Sequence, residues 1–201
     1  TLHTLFPYTT LFRSYSFKDN RFDYRKNDLA TSINPVTAAI VIKSIQNWLE
    51  PNAKVLDPFC GVGTMLIERS NLLQFSALTG IDIFRTAITG ATINSKLANV
   101  NIELLGEDTL EFVPYDLYDE IITNMPFDNK SATHNKYADL YSEFVTKIPS
   151  LVRPGGMAFI YTIEKDLFRE VLQGNDHLEL IKEIKIESGR LTHHVFVLQL
   201  K

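Results

Sequence analysis

The chain has 201 residues, 45% of them hydrophobic and 22% charged, the proportions of one globular domain with a sizeable core. Its net charge of -4 excludes a general basic footprint for nucleic acid, and the single cysteine, Cys60, excludes a disulfide framework. No apolar run approaches the roughly 18 residues that span a bilayer and no signal peptide pattern opens the chain, so no membrane contact and a cytoplasmic location are expected.

Residues 1–14, TLHTLFPYTTLFRS, show neither helical nor strand period and resemble the translated product of a cloning adaptor. They are expected to be a non-native leader, with a single domain over residues 15–201 and the chain a fragment of a longer protein. The next stretch, FKDNRFDYRKND, mixes charges with aromatics. In SINPVTAAIVIKSIQNWL, Asn34 suits an N-cap and Pro35 the first helical position, and Val36, Ala39 and Ile40 then recur at helical spacing. A helix is predicted. AKVLDPF follows as a strand, TMLIERSNLL as a helix, SALTGIDI as a strand and Phe84 to about Asn99 as a helix. IELL and DEIITN are further strands, a helix runs from about Tyr137 to Leu151, and MAFIYT is a strand after the turn Arg153-Pro154-Gly155-Gly156. Such alternation specifies an α/β fold in which helices wrap a parallel sheet. LELIKEIKIES and THHVFVLQL, separated only around Gly189, demand a terminal antiparallel hairpin. His193 and His194 are expected in an edge strand, facing opposite sides, and so not in one metal site. No metal is expected elsewhere, and His134 and Lys136 read as part of a solvated polar loop.

Ligands of doubly wound sheets lie at the carboxyl ends of the strands, which directs attention to the last residue of each. The first strand runs into DPFCGVGT, where Gly61 and Gly63 permit a tight turn and close approach of a ligand. The third position after Gly63 is Leu66 rather than glycine, which disfavours a dinucleotide, and a Walker lysine is missing. Asp82 ends the second strand 25 positions after Asp57, an interval suited to a carboxylate that accepts both ribose hydroxyls, and Glu107-Asp108 follows the third.

VLDPFCGVGTMLIE, GIDI, GED and NMPF, in this order, resemble the class I S-adenosylmethionine-dependent methyltransferases that act on amines. More narrowly, SINPVTAAIV and DPFCGVGTMLIE resemble the THUMP-associated RNA methyltransferases that modify guanine at its exocyclic amine, from about Tyr24 to Lys201. The resemblance implies a Rossmann-like, seven-stranded, mostly parallel sheet with a C-terminal antiparallel hairpin and helices on both faces. It implies that the loop Asp57 to Gly63, with Phe59, Cys60 and Gly61, holds the methionine part of the cofactor. Asp82 would hold the ribose and Asp108 the adenine amine, with Ile83, Glu107 and Thr64 beside them; Cys60 and Thr64 suit loop packing better than chemistry. Tyr24 and Arg25, in the segment before the first helix, are candidates to touch cofactor or a phosphate.

NMPF then has a reason. A nucleobase amine is a poor nucleophile because its lone pair is delocalised, so a catalyst must hold it with acceptors aimed at its two hydrogens. Asn124 offers a carboxamide oxygen, the carbonyl of Met125 or a neighbour can be fixed outward by the stiff Pro126, and Phe127 offers a face for the base. The residue after the aromatic is Asp128 where the family commonly has glycine, which leaves the substrate open. The expected function is methylation of guanine in RNA, tRNA first and ribosomal RNA next, with RNA affinity relying on a THUMP-type module absent from this chain. Alternatives are methylation of an adenine amine in nucleic acid or of a glutamine side chain in protein, and an inactive cofactor-binding RNA module.

Overall fold

A computed structural model of the chain describes residues 20–29, 32–127, 134–188 and 191–201. The leader, Asp128, Gly189 and the side chains of His134 and Lys136 lie outside the described residues. Helix α1 (Pro35–Ser44) begins as its sequence predicts, with the Asn34 side chain accepting the Val36 N–H at 2.9 Å and Pro35 where no donor is needed. Strands β1 (Ala53–Asp57), β2 (Phe75–Ile81), β3 (Glu103–Leu105) and β4 (Tyr118–Asn124) alternate with α2 (Thr64–Leu72) and α3 (Arg85–Leu97). After α4 (His134–Lys147) come β5 (Val152–Thr162), α5 (Lys165–Leu172), β6 (Leu178–Ser188) and β7 (Leu191–Leu200).

The seven strands form one sheet in the order β3-β2-β1-β4-β5-β7-β6, and β7 runs antiparallel to both of its neighbours. Helices cover both faces. Ala38, Val41 and Ile42 of α1 pack with Met65, Leu66 and Ile67 of α2 on one, and Tyr141, Phe144 and Phe168 of α4 and α5 pack on the other. The chain crosses over between β1 and β4, so the strand order reverses there and opens a crevice above their carboxyl ends. Among the described residues no helix is long and apolar enough to cross a membrane.

Four expectations need correction. His134 and Lys136, expected in a loop, belong to the first turn of α4. The Arg153-Pro154-Gly155-Gly156 segment is not a turn ahead of β5 but an irregularity inside it, where the pairing jumps from Tyr118↔Val152 to Glu120↔Met157. Gly156 is required there, because a Cβ would lie 2.5 Å from Val152 Cγ1 and 2.9 Å from the Asp119 carbonyl. Helix α5 went unpredicted. The two histidines sit in an interior strand, since β7 lies between β5 and β6; they do face opposite sides, His193 stacking on Tyr161 and His194 bonding Glu183 at 2.5 Å.

Candidate active site

The loop after β1 is shaped by its glycines. Gly61 and Gly63 have φ of +54° and +82°, values that favour residues without a Cβ, and Gly63 caps α2 with no side-chain hydrogen bond. The Cys60 N–H bonds the Ile81 carbonyl at 2.9 Å and the Gly61 N–H bonds Asp82 Oδ2 at 2.9 Å, so the loop is pinned to the end of β2. Asp82 Oδ1 accepts the Phe84 N–H at 2.9 Å, and each carboxylate oxygen keeps a lone pair for a ligand.

Asp57 lies beneath this loop, 1% exposed. Its Oδ1 accepts the Thr123 hydroxyl at 2.7 Å and the Phe59 N–H at 3.2 Å, yet burial, with the charge of Asp82 adding to it, pushes the carboxyl up to about 7. Burial likewise pushes the Cys60 thiol well above its usual range, which suits packing rather than nucleophilic chemistry. Asp108 is exposed at the rim, its Oδ1 accepting the Leu110 N–H at 2.9 Å.

These groups open into one cavity of about 490 Å³, the size of a small-molecule site. Asp57, Phe59, Cys60, Gly61, Thr64, Asp82, Ile83 and Asp108 line it, as do Asn124, Met125, Pro126 and Phe127. Gly63 and Glu107 do not. Gly63 contributes through its backbone, and an added Cβ would lie 3.4 Å from Ala91 Cβ on α3. Tyr24 is away from the cavity, buried against α2 with its hydroxyl 2.6 Å from Glu68 Oε1, and Arg25 bonds the Ile33 carbonyl and Asp28. Neither residue lines the cavity.

Sequence reasoning missed the other wall. Leu29, Ser32 and Ile33 enter from the segment before α1, Phe84 and Ala87 from the start of α3, and Tyr137 and Leu140 from α4. Asn94 holds the first of these walls. Its fully buried Oδ1 accepts the N–H groups of Lys26 and Asn27 at 3.2 and 3.1 Å, and its Nδ2 donates to the carbonyls of Asn27 and Val62 at 3.0 and 3.2 Å. One carboxamide on α3 thus ties the segment before α1 to the glycine loop.

Among the described residues, buried side-chain polar atoms without a hydrogen-bond partner include Ser32 Oγ, Thr64 Oγ1 and Asn124 Oδ1, all from residues of the cavity wall. Buried polar atoms are rarely left unpaired unless a ligand or water completes them. The crevice thus carries unused hydroxyls near the glycine loop and an unused carboxamide oxygen at the end of β4.

Residues 23–194 match the family described as UPF0020, RMKL-like, methyltransferase domain. The chain is 26% identical over 159 residues to the tRNA (guanine(10)-N2)-dimethyltransferase of Pyrococcus abyssi, covering 77% of this chain and 47% of that protein. It is 34% identical over 85 residues to the U6 snRNA (guanine-N(2))-methyltransferase THUMPD2 of Bos taurus, covering 41% of this chain and 17% of that one. The fold is similar to the crystal structure of TrmN from Thermus thermophilus, with a TM-score of 0.77 at 24% identity over 90% of this chain and 53% of that one. The chain spans about half the length of the Pyrococcus protein or less of the relatives described, and about half of TrmN.

Proposed function

Because the chain belongs to the UPF0020 family of RMKL-like methyltransferase domains, we propose that it transfers a methyl group from S-adenosylmethionine to the exocyclic amine of guanine in RNA, with tRNA as the first target. The observation that carries this reading is the unpartnered Asn124 Oδ1, an acceptor held at the crevice beside the Phe127 ring.

The residues present suit the cofactor. Gly61 leaves open the space a side chain would fill, with Ser32 Oγ 3.9 Å from the position of its missing Cβ, and Ser32 and Thr64 hold hydroxyls free to bond. Asp57, Gly61 and Thr64 would hold the methionine portion, Asp82 the ribose, and Asp108 the adenine amine between the apolar Ile83 and Leu110. When bound, the cofactor supplies an electrophilic methyl carbon. The protein's own task is to present the amine. Asn124 Oδ1 accepts one of its hydrogens and the Met125 carbonyl the other, drawing the nitrogen toward the tetrahedral geometry in which its lone pair is available. Phe127 stacks on the base, a contact worth about 1 to 3 kcal/mol. Holding two reactants in line contributes roughly 7 to 11 kcal/mol, so no strong general base is needed and the proton can leave afterwards. The homologues' substrates, tRNA and U6 snRNA, support an RNA target. The acidic balance of the chain supports the reading that most of the RNA affinity lies outside this domain.

Labelled methyl transfer to unmodified tRNA at high RNA concentration tests the reading. Methylated guanine should appear in the nuclease digest, and Asn124→Ala should reduce it by about 10² to 10³-fold. Incorporation into protein and not RNA would move the substrate to a side-chain amide, which offers a comparable planar NH2 group. Cofactor binding with no incorporation would make the chain a binding module.

A further inference from the structure

We propose that Tyr141 is a positioning residue for the amine: its hydroxyl pins the Pro126 carbonyl toward α4 and thereby turns the Met125 carbonyl to the crevice beside Asn124 Oδ1. The inference rests on the amine-methylating reading above and assigns the second of the two acceptors that reading requires.

Tyr141 is fully buried on α4, its ring edge-on to Phe168 at 6.1 Å, one position after Leu140 and four after Tyr137, both of which line the crevice. Its hydroxyl lies 3.2 Å from the Pro126 carbonyl and 2.8 Å from Thr162 Oγ1, and Thr162 Oγ1 accepts the Glu164 N–H at 3.0 Å. Counting protons fixes the direction of every bond. A carbonyl only accepts, so the single phenolic hydrogen goes to Pro126, and the Thr162 hydroxyl must donate to Tyr141 while its oxygen takes the Glu164 N–H. Burial pushes the Tyr141 hydroxyl well above the ordinary phenol range, which keeps it a donor at neutral pH. The chain of bonds thus runs from the start of α5 through β5 and α4 to the reacting turn.

The turn itself explains why this matters. Met125 donates its N–H to the Tyr161 carbonyl at 2.9 Å, after which Pro126, with no N–H, carries the chain out of the sheet. The proline ring fixes φ of Pro126, so ψ of Pro126 is the one soft torsion left between the Met125 and Pro126 carbonyls. Fixing the Pro126 oxygen against α4 therefore sets the direction of the Met125 oxygen as well. Without that bond the turn would keep its tether at Met125 N–H but lose the one that orients the two peptide planes.

Tyr141→Phe removes one oxygen and keeps the ring. The turnover rate with tRNA should fall at least tenfold, while KM for RNA and the calorimetric Kd for the cofactor change less than twofold. In the cofactor-free protein the carbonyl carbon resonance of Pro126 should move upfield, a readout that needs no turnover. Thr162→Val, which spares the bond to Pro126 but removes the donor behind it, should lower turnover about threefold, and the double variant should be no slower than Tyr141→Phe alone. If Tyr141→Phe does not fold, an undiminished rate in Thr162→Val overturns the proposal. So does a Tyr141→Phe protein with the wild-type rate, or with an unmoved Pro126 resonance. A wild-type protein that transfers a methyl group to neither RNA nor protein overturns the amine reading and this proposal with it, whereas an active wild type with an equally active Tyr141→Phe overturns only the proposal.

Discussion

Arg69 and Asn124 show how differently the two ends of the sheet treat buried polar groups. Toward the amino end of β4, Arg69 and Glu120 are both fully buried, and four of the five guanidinium N–H groups are engaged: Nε to Glu120 at 2.9 Å, Nη1 to the Leu73 carbonyl at 2.9 Å, and Nη2 to Glu120 at 3.2 Å and the Glu50 carbonyl at 2.9 Å. The same carboxylate also accepts the Glu50 N–H at 2.6 Å. Four residues further along the strand, about 13 Å away, Asn124 presents an oxygen with no partner, and Ser32 and Thr64 do the same across the crevice. The network at one end is closed, whereas the crevice wall at the other keeps unpartnered atoms. The contrast teaches that neither burial nor an unspent hydrogen bond marks the candidate site by itself, since Arg25 Nε and His193 Nδ1 are also buried without a partner; what sets Asn124, Ser32 and Thr64 apart is that their unpartnered atoms belong to the wall of one crevice.

The comparison can be broken from either end. Arg69→Met leaves Glu120 charged and unpaired in the core and should cost about 3 to 5 kcal/mol of stability by urea denaturation, with little effect on cofactor affinity in protein that remains folded. Asn124→Ala should do the reverse. Methyl transfer should fall by about 10² to 10³-fold, the scale of losing one aligned hydrogen-bonding group, with stability within about 1 kcal/mol of wild type because Oδ1 has no partner among the described residues.

Asp57 sharpens the contrast, being buried at the functional end with its carboxyl raised to about 7 from an ordinary 3.8. Folding favours its protonated form, so the associated stability is complete below about pH 4 and is lost as pH rises toward 7. The slope should reach at most about 1.4 kcal/mol per pH unit. Asp57→Asn should flatten that part of the stability profile, measured by denaturation across pH in the cofactor-free protein. The smallest effect belongs to an ordinary cap, since Asn34→Ala should cost about 1 kcal/mol and leave turnover unchanged.

What could be seen in the sequence follows the range of the interactions. Caps, glycine turns and strand ends are local, so Asn34, the Gly61-Gly63 loop, Asp82 and NMPF were placed by pattern alone. Helix α5 escaped because KDLFREVL is only eight residues and its N-cap, Glu164, makes no side-chain hydrogen bond; the apolar Leu167, Phe168, Val171 and Leu172 were the signal available. The edge assignment of the histidines overlooked a legible clue. VFVL is buried without alternation, as an interior strand should be, whereas LELIKEIKIES carries the lysines and glutamates that blunt an edge. Tyr24 could not be read locally, because its partner Glu68 is 44 positions away. Nor could the wall formed by Ser32, Ile33 and Tyr137, which needs the tertiary fold to bring the segment before α1 and helix α4 to the same crevice.

The face of α3 built from Gly90, Ala91 and Asn94 has an evolutionary corollary. A Cβ on Gly90 would lie 3.0 Å from Val62 Cγ1 and 3.4 Å from Asn27 Cβ, and Asn94 bonds the backbones of both partners. Positions 27, 62, 90 and 94 therefore share one contact, and a change at any of them alters what the others tolerate. Random libraries of this domain should accept a larger residue at 90 only together with smaller ones at 62 or 27, so that doubles restore what the single change at 90 loses.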